Sequence, residues 1–305
     1  MLDIGYGIDG NHPVSRISHP APAICYQNQT PTVSAMPVLS SIHIYPIKAT
    51  GGVALDEAAV EPRGLAHDRR WMLVDKTGRF LTQREHARLA LVRVQVQSSY
   101  IEVRAPAMAM LKVPFPGVGA SRLSVRLWKN EVDAAMADEA AQAWFSRFLG
   151  FDCRLVYMDA AAVRPLDPRY AVGVGQVSFA DGYPLLLTSE VSLAALNARL
   201  DVPVPMTRFR PNLVVRGVDA FAEDQWQQVH IGEVLFHVVK PCARCVVTTI
   251  DQQTAVQGKE PLRTLGTFRR REGQVYFGVN LIPDKPGVVH VGDAASATAD
   301  GRRWR

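Results

Sequence analysis

The chain has 305 residues, of which 48% are hydrophobic and 21% are charged, which is typical of a globular protein with one large or two moderate domains. The formal net charge is only +5, and no run of Lys and Arg interleaves with aromatic residues, so the sequence predicts no nucleic-acid partner. No apolar run reaches the roughly 18 residues of a membrane-spanning helix, and four cysteines are too few for a disulfide framework, so we predict a cytoplasmic protein without a membrane span.

The chain begins with an irregular segment and continues with short alternating runs. Residues 1–36 show no periodicity and are rich in Pro, Ser, Asn and Gln, which predicts a loose leader. Further along, Val92, Val94 and Val96 share one face of a predicted half-buried antiparallel strand. Residues 76–78 (KTG) predict a hairpin turn between two neighbouring strands.

Three helices are predicted among the strands. The first, ADEAAQAWFSRFLG, begins near Asp138 and stops at Gly150, with Trp144, Phe145 and Phe148 as its apolar stripe. The second, TSEVSLAALNARL, is capped by Thr188 or Ser189, and a short third helix opens at Pro261. The strand-like runs that follow the second helix are NLVVRG, EVLFHVV, CVVTTI, QVYFGVNLI and VVHVGD.

Many short strands, few helices and no regular βαβ repeat predict a mostly β protein with α+β character. The proline-containing residues 161–173 are the best candidate for a domain boundary. We therefore predict a leader at 1–36, a first domain at 37–160, a second domain at 161–296 and a tail at 297–305.

The stretch KPCARCVVTTID, residues 240–251, holds Cys242 and Cys245. A structural zinc site needs four ligands and no second such pair exists, while a thioredoxin-like dithiol opens a helix rather than a β-branched run, so both are disfavoured. In an extended segment Cys242 and Arg244 face one side and Cys245 the other. Two alternatives remain: one working cysteine, whose thiolate Arg244 favours, or two buried and inert thiols.

Three further basic residues lie at the edges of predicted strands: Lys48 before a Gly-Gly pair, Arg69, and Arg210 before a proline. If they converge, they form an anion pocket suited to a phosphate, although each alone is more often a surface charge. Asp181, in FADGYP, is by default a turn former, and a carboxylate at a reaction centre can instead handle protons.

The stretches IYPIKATGG, GLAHDRRWML, FADGYPLLL, FRPNLVV, KPCARCVVTTID and FGVNLI, in this order, resemble MOSC-domain proteins that carry an N-terminal MOSC β-barrel domain. Bacterial N-hydroxy-compound reductases and the mitochondrial amidoxime-reducing component are such proteins. The resemblance spans about residues 39–293. It implies an N-terminal β-barrel domain at 37–160, a MOSC β-barrel domain at 161–296 and a ligand cleft between them.

The resemblance also implies a molybdenum cofactor (Mo-molybdopterin), with Cys245 as the protein ligand to the metal and Asp181 as a catalytic residue that handles protons. The positions that match the family's cofactor-binding residues are Lys48, Ala49, Arg69, Arg210, Asn212, Ala243, Arg244, Cys245 and Asn280. Ala49 and Ala243 stand where many relatives have serine. Cys242 has no implied role, and we expect it to pack behind the strand that carries Cys245.

The activity implied is the reduction of N-hydroxylated compounds such as hydroxylamines, amidoximes and N-hydroxylated bases, with oxygen abstracted at molybdenum. Because no cysteine follows Cys245, electrons are expected from a separate donor that is ferredoxin-like, a flavoprotein reductase or cytochrome b5-like. A second hypothesis makes Cys245 a persulfide carrier for cofactor sulfuration. A third is a chaperone that stores the cofactor without turnover.

Overall fold

A computed structural model describes residues 36–172 and 175–299 of the chain. The predicted leader, apart from Met36, lies outside the described residues. The strands are β1 Val38–Ile44, β2 Val53–Leu55, β3 Glu57–Glu61, β4 Gly64–Leu65, β5 Trp71–Asp75, β6 Arg93–Val96, β7 Tyr100–Arg104, β8 Leu111–Pro114, β9 Arg122–Leu127, β10 Asn130–Met136, β11 Cys153–Tyr157, β12 Leu185–Ser189, β13 Leu213–Arg216, β14 Trp226–Ile231, β15 Val234–Ala243, β16 Arg270–Arg271, β17 Gln274–Pro283, β18 Gly287–His290 and β19 Ala295–Ala299. The helices are α1 Glu139–Leu149, α2 Glu190–Asn197 and α3 Leu262–Phe268, with 3-10 turns at Ala87–Leu91, Met206–Arg208, Ala222–Gln225 and Val246–Thr249.

The largest sheet has the strand order β19-β14-β15-β17-β12-β13-β1-β2, with β16 beside β17. Its pairs are antiparallel except β12 with β13. Leu187, Phe236 and Leu281 are fully buried on its core face. The long strands β15 and β17 lie side by side at its centre, which positions the segment that ends in the two cysteines.

Three smaller sheets complete the described strands, with the orders β5-β11-β10-β9, β18-β3-β4 and β6-β7-β8. The predicted stripe of α1 is confirmed, because Trp144, Phe145 and Phe148 are buried in a core shared with Trp71 and Leu155. This second core stabilises the N-terminal half, since each large apolar side chain removed from water contributes about 1.5–3 kcal/mol.

Strand pairing crosses between the two predicted domains. The N-terminal strand β1 pairs with β13, and the C-terminal strand β18 pairs with β3. The mostly β fold with α+β character is confirmed, although the described sheets have free edges and do not close into barrels. Residues 297–299, which the sequence assigns to a tail, belong to β19, which pairs with β14.

Local signals in the sequence located the helix ends well. The Asp138 carboxylate accepts a hydrogen bond from the Ala141 amide at 2.8 Å, and Gly150 ends α1 in the left-handed region with φ of 84°. Ser189 caps α2 in the same manner, and α3 begins directly after Pro261. The predicted hairpin at residues 76–78 is also present, closed by the Gly78 amide donating to the Asp75 carbonyl.

The strand predicted at CVVTTI is wrong. β15 ends at Ala243, and Val246–Thr249 forms a 3-10 turn. The Thr248 hydroxyl donates to the Cys245 carbonyl at 3.0 Å, and the Thr249 hydroxyl donates to the Val246 carbonyl at 2.7 Å. These local bonds stabilise a turn that competes with the β preference of the branched side chains.

Candidate functional site

A cavity of about 520 Å³ brings the predicted site residues together. Its walls come from residues 48–128 and 180–280, so both halves of the described chain build it. The predicted residues on its wall are Lys48, Ala49, Arg69, Asp181, Arg210, Asn212, Ala243, Arg244, Cys245 and Asn280. Folding therefore brings together side chains that are far apart in the sequence. They include the cations Lys48, Arg69 and Arg210, whose spacing in the sequence does not show that they meet.

The two cysteines of the CxRC segment both line this cavity, and both are partly accessible. Cys242 therefore does not pack behind the strand as predicted. The expected alternation does not extend to Cys245, because β15 ends two residues earlier and the chain turns there. The alternative that both thiols are buried is also wrong for this pair.

Arg244 lies on the side of Cys242, as the predicted alternation of the strand places it. Arg244 Nη1 contacts the sulfur of Cys242 at 2.9 Å, and Arg244 Nη2 donates to the Phe209 carbonyl at 2.5 Å. It is Arg84 that approaches Cys245, with Nη2 at 3.4 Å from Sγ. Each cysteine of the pair therefore has its own arginine.

Two of the predicted cations, Arg69 and Arg210, are held against one aromatic ring. Their guanidinium carbons lie 4.3 Å and 4.2 Å from the centroid of the buried Tyr45 ring. Arg69 also donates to the carboxylate of Asp68 at 2.7 Å, whereas Arg210 donates to the Thr50 carbonyl at 2.5 Å. Burial lowers the pKa of Arg210 to about 10, and the neighbouring charge of Arg69 contributes to the decrease, so Arg210 remains cationic at neutral pH.

Lys48 and Asp181 form an ion pair of 2.5 Å at one side of the cavity. Lys48 Nζ also donates to the Phe179 carbonyl at 2.8 Å. Removal from water raises the pKa of Asp181, but attraction to the Lys48 ammonium and the hydrogen bond from it outweigh this effect, so the pKa lies below its usual value. Asp181 is therefore an ionised carboxylate at neutral pH, and its side chain is 60% exposed to the cavity.

The two asparagines of the site position other groups. Asn212 Oδ1 accepts from Arg69 Nη1 at 3.0 Å, and its Nδ2 donates to the His43 carbonyl at 3.1 Å. Asn280 Nδ2 lies 3.2 Å from the Lys240 carbonyl. Asn212 therefore orients an arginine, and Asn280 ties β17 to the strand that leads to the cysteines.

Apart from Trp128, whose φ is 54°, three described residues of the cavity wall have a left-handed backbone although they are not glycine: Ala49 with φ of 69°, Arg69 with 47° and Arg210 with 55°. Such conformations cost on the order of 1 kcal/mol each and tend to occur at functional sites. Here they direct two arginines and the residue after Lys48 toward one cavity.

Sequence reasoning missed several residues of the wall. Arg84, Trp128 and Tyr183 line the cavity, as do Gln83 and Lys240. Gln83 and Gln252 exchange side-chain hydrogen bonds of 3.2 Å and 3.0 Å, and Gln83 also donates to the Ala49 carbonyl. Tyr183 and Lys240 lie in the quoted stretches FADGYPLLL and KPCARCVVTTID but were assigned no role, whereas Gln83, Arg84 and Trp128 lie in no quoted motif.

The donor set fits an anionic cofactor. Among the described residues, six cationic side chains line the cavity against one carboxylate, that of Asp181: Lys48, Arg69, Arg84, Arg210, Lys240 and Arg244. The buried Nε of Arg244 has no hydrogen-bond partner among the described residues. Within 36–172 and 175–299, no group of three or more His, Cys, Asp or Glu side chains is placed to hold a metal ion.

Cys153, the remaining described cysteine, belongs to the core beside α1. Burial raises the pKa of its thiol to about 11, and it contacts the Ser146 hydroxyl at 3.8 Å. It is therefore a protonated structural thiol.

Comparison with known proteins agrees with the resemblance drawn from the motifs. Residues 36–152 match the MOSC N-terminal beta barrel domain, and residues 174–296 match the MOSC domain. The chain belongs to the MOSC family and carries its N-terminal β-barrel domain.

Two of the similar curated proteins are mitochondrial amidoxime-reducing components. The mitochondrial amidoxime reducing component 2 of Bos taurus is 36% identical over 84% of this chain and 81% of its own length. The mitochondrial amidoxime-reducing component 1 of Xenopus laevis is 30% identical over 88% of this chain and 84% of its own length. Among solved structures, the YuaD protein of Bacillus subtilis aligns with a TM-score of 0.42 at 10% identity over 87% of this chain and 97% of that one, a likeness too weak to support an argument. Within the described part of the chain, no helix has both the length and the apolar character needed to cross a membrane.

Proposed function

We propose that this protein is a molybdenum-cofactor-dependent oxidoreductase that reduces N-hydroxylated compounds. The observation that carries the proposal is the accessible sulfur of Cys245 in a cavity lined by six cationic side chains. The similarity to amidoxime-reducing components over more than four fifths of the chain supports the substrate class.

In this proposal the cationic side chains of the cavity bind molybdopterin, and the sulfur of Cys245 binds the metal. Lys48, Arg69, Arg210 and Arg244 bind the phosphate, and the unpartnered Nε of Arg244 supplies a further donor. Cys245 would be the protein ligand that holds the metal through its sulfur. When bound, the cofactor supplies a redox-active metal that accepts the oxygen of the substrate.

The overall reaction consumes two electrons and two protons: R–NH–OH becomes R–NH₂, the N–O bond breaks and water leaves. The Asp181 carboxylate is ionised beside Lys48, so it stores no proton at neutral pH. Its catalytic role is to accept a proton and pass it on near the leaving oxygen. The electrons come from a separate donor, which is ferredoxin-like, a flavoprotein reductase or cytochrome b5-like.

The first test compares two single-sulfur variants of protein purified from a host that makes the molybdenum cofactor. We expect wild type and Cys242→Ser to contain molybdenum by mass spectrometry and to reduce benzamidoxime with an artificial electron donor. Cys245→Ser should lose the metal, because serine removes the thiolate ligand. Full molybdenum occupancy in Cys245→Ser would refute the proposal.

Two other results would identify the alternatives. A cyanolysable sulfur on Cys245 together with absent pterin fluorescence after oxidation would support the persulfide carrier. Bound molybdenum without any reduction of benzamidoxime would support storage of the cofactor.

A further inference from the structure

A second cavity of about 730 Å³ adjoins the first. The two share Trp128, Asp181, Gly182 and Tyr183, so they meet at the exposed carboxylate described above. The walls of the second cavity are largely apolar and include Pro165, Leu166, Pro168 and Val177. An apolar space with a few directed polar groups is typical of a small-molecule binding site.

Trp128 forms one side of the passage between the cavities. It occupies a two-residue turn between β9 and β10 with φ of 54°, where glycine or asparagine is the usual residue. The indole is 46% exposed, yet it packs on the ring of Phe80 at 4.9 Å and beneath the guanidinium of Arg84 at 5.1 Å. A large aromatic side chain is thus held in an unfavourable backbone conformation with much of its surface toward the passage.

Tyr183 forms another part of the same passage. Its ring packs edge-on against Tyr170 at 5.8 Å, which fixes its orientation. Burial raises the pKa of its hydroxyl to about 12, so the group remains a hydrogen-bond donor at neutral pH. Together with Trp128 it gives the passage two aromatic walls.

The buried Arg164 forms hydrogen bonds both to the turn that carries Trp128 and to the segment that carries Asp181. Its Nε donates to Asn130 Oδ1 at 3.1 Å, at the end of the Trp128 turn, and its Nη2 donates to the Asp181 carbonyl at 2.9 Å. Nη1 donates to the carbonyls of Ser178 and Ala180. The tryptophan and the carboxylate are therefore fixed relative to each other by one side chain.

The two oxygens of the Asp181 carboxylate differ in their hydrogen bonds. Oδ1 receives the Lys48 ammonium, whereas no hydrogen bond to Oδ2 comes from any described residue. A free carboxylate oxygen beside two aromatic walls suits a ligand that joins a flat ring to N–H or O–H donors.

We propose that the second cavity binds the ring of an aromatic amidoxime between Trp128 and Tyr183, while Asp181 Oδ2 accepts a hydrogen bond from the amino or hydroxyl group of the substrate. The inference rests on the proposed function for the chemistry that follows. The geometry directs the N–O group from the passage toward the cavity that contains Cys245. Aromatic amidoximes are thus bound better than small hydroxylamines, which lack the ring.

The test measures binding and turnover separately in Trp128→Ala. Isothermal titration of benzamidoxime into the holoprotein should show a Kd raised roughly three- to tenfold, the factor of one lost aromatic contact. The KM for benzamidoxime should rise in parallel, while molybdenum content and the KM for hydroxylamine stay the same. Met110→Ala is the matched control, because Met110 is 45% exposed but lines neither cavity.

Three outcomes would overturn the inference: wild type that does not bind benzamidoxime, an unchanged Kd in Trp128→Ala, or an equal loss for both substrates. The last result would show that Trp128 acts through Arg84 and the metal site. Benzamidoxime binding that depends on Trp128 without any turnover would instead refute the proposed function and leave the binding site in place.

Discussion

Arg84 and Cys245 are 161 positions apart in the chain, yet the guanidinium lies 3.4 Å from the sulfur. Cys242 has the equivalent contact with Arg244. A cation beside a thiol stabilises the negative charge of the reactive thiolate. Each sulfur therefore contacts a different arginine, and the two contacts can be removed separately by mutation.

We expect Arg84→Met, in protein made without cofactor, to slow the alkylation of Cys245 by iodoacetamide at pH 7.5 by up to about fivefold, since a partly exposed charge contact contributes up to about 1 kcal/mol. The rate at each cysteine is measured by mass spectrometry of the peptides. Arg244→Met is the reciprocal control and should slow only Cys242. Equal slowing of both sulfurs in either variant would contradict the assignment.

At the scale of single elements, β17 depends on a glycine. Gly278 has φ of +74°, and a Cβ there would lie 2.6 Å from the Leu187 carbonyl and 2.7 Å from Thr188 Cγ2 in β12. The backbone of β12 cannot withdraw, because Leu187 also pairs with Val279. Close packing of the two strands in turn places Asn280 on the cavity wall.

Gly278→Ala is therefore expected to lower the free energy of unfolding by about 3 kcal/mol, of which roughly 1 kcal/mol is the cost of the left-handed backbone and the rest is overpacking. Gly273 has the same φ of +74° but no atom within 4 Å of its Cβ position. Gly273→Ala should consequently lower the free energy of unfolding only by the roughly 1 kcal/mol that a left-handed backbone costs. Urea denaturation of both variants measures the difference, and equal losses would show that the contact with β12 is unimportant.

Elements whose ends depend on local chemistry were predictable from sequence. Asp138 and Ser189 cap helices through bonds to residues three positions away, which a sequence displays directly. The segment after Cys245 was not predictable, because β-branched residues favour strands while two threonine hydroxyls favour a turn. The residue types alone do not show whether the strand preference of the branched side chains or the hydrogen bonds of the hydroxyls prevail.

The site was predictable only in part. The resemblance to a family located residues such as Lys48 and Arg210, and the structure places them on one wall. Arg84 and Trp128 were missed, since neither lies in a motif, and folding alone brings Arg84 to Cys245 and Trp128 to Arg84. Strand alternation placed Arg244 on the side of Cys242, where the structure has it, but it did not predict the turn after Ala243 that brings Cys245 to the same cavity.

At the scale of the whole molecule, the two halves share their sheets. β1 contributes Leu39 and Ile42, both fully buried, to the core of the largest sheet, and it pairs with β13. In return β18 pairs with β3. Each half therefore lacks part of its core and exposes a strand edge when it is alone.

We expect a fragment of residues 161–299 to show no cooperative urea transition, because it loses two buried side chains worth about 1.5–3 kcal/mol each along with the pairing of β1. The full chain should unfold in a single transition, followed by tryptophan fluorescence. Co-expression with residues 36–160 is the control and should restore the transition. A cooperative transition in the fragment alone would show that the shared sheets are dispensable.

The exchange of strands also fixes an order of events during synthesis. A ribosome makes the chain from the N-terminus, so Lys48 and Arg69 leave it long before Asn280 and β18. Until β17 is made, β15 and β12 lack the strand that joins them, and the cavity has no complete wall. Any ligand that contacts the whole wall is consequently bound only after β17 has been made, late in the synthesis of the chain.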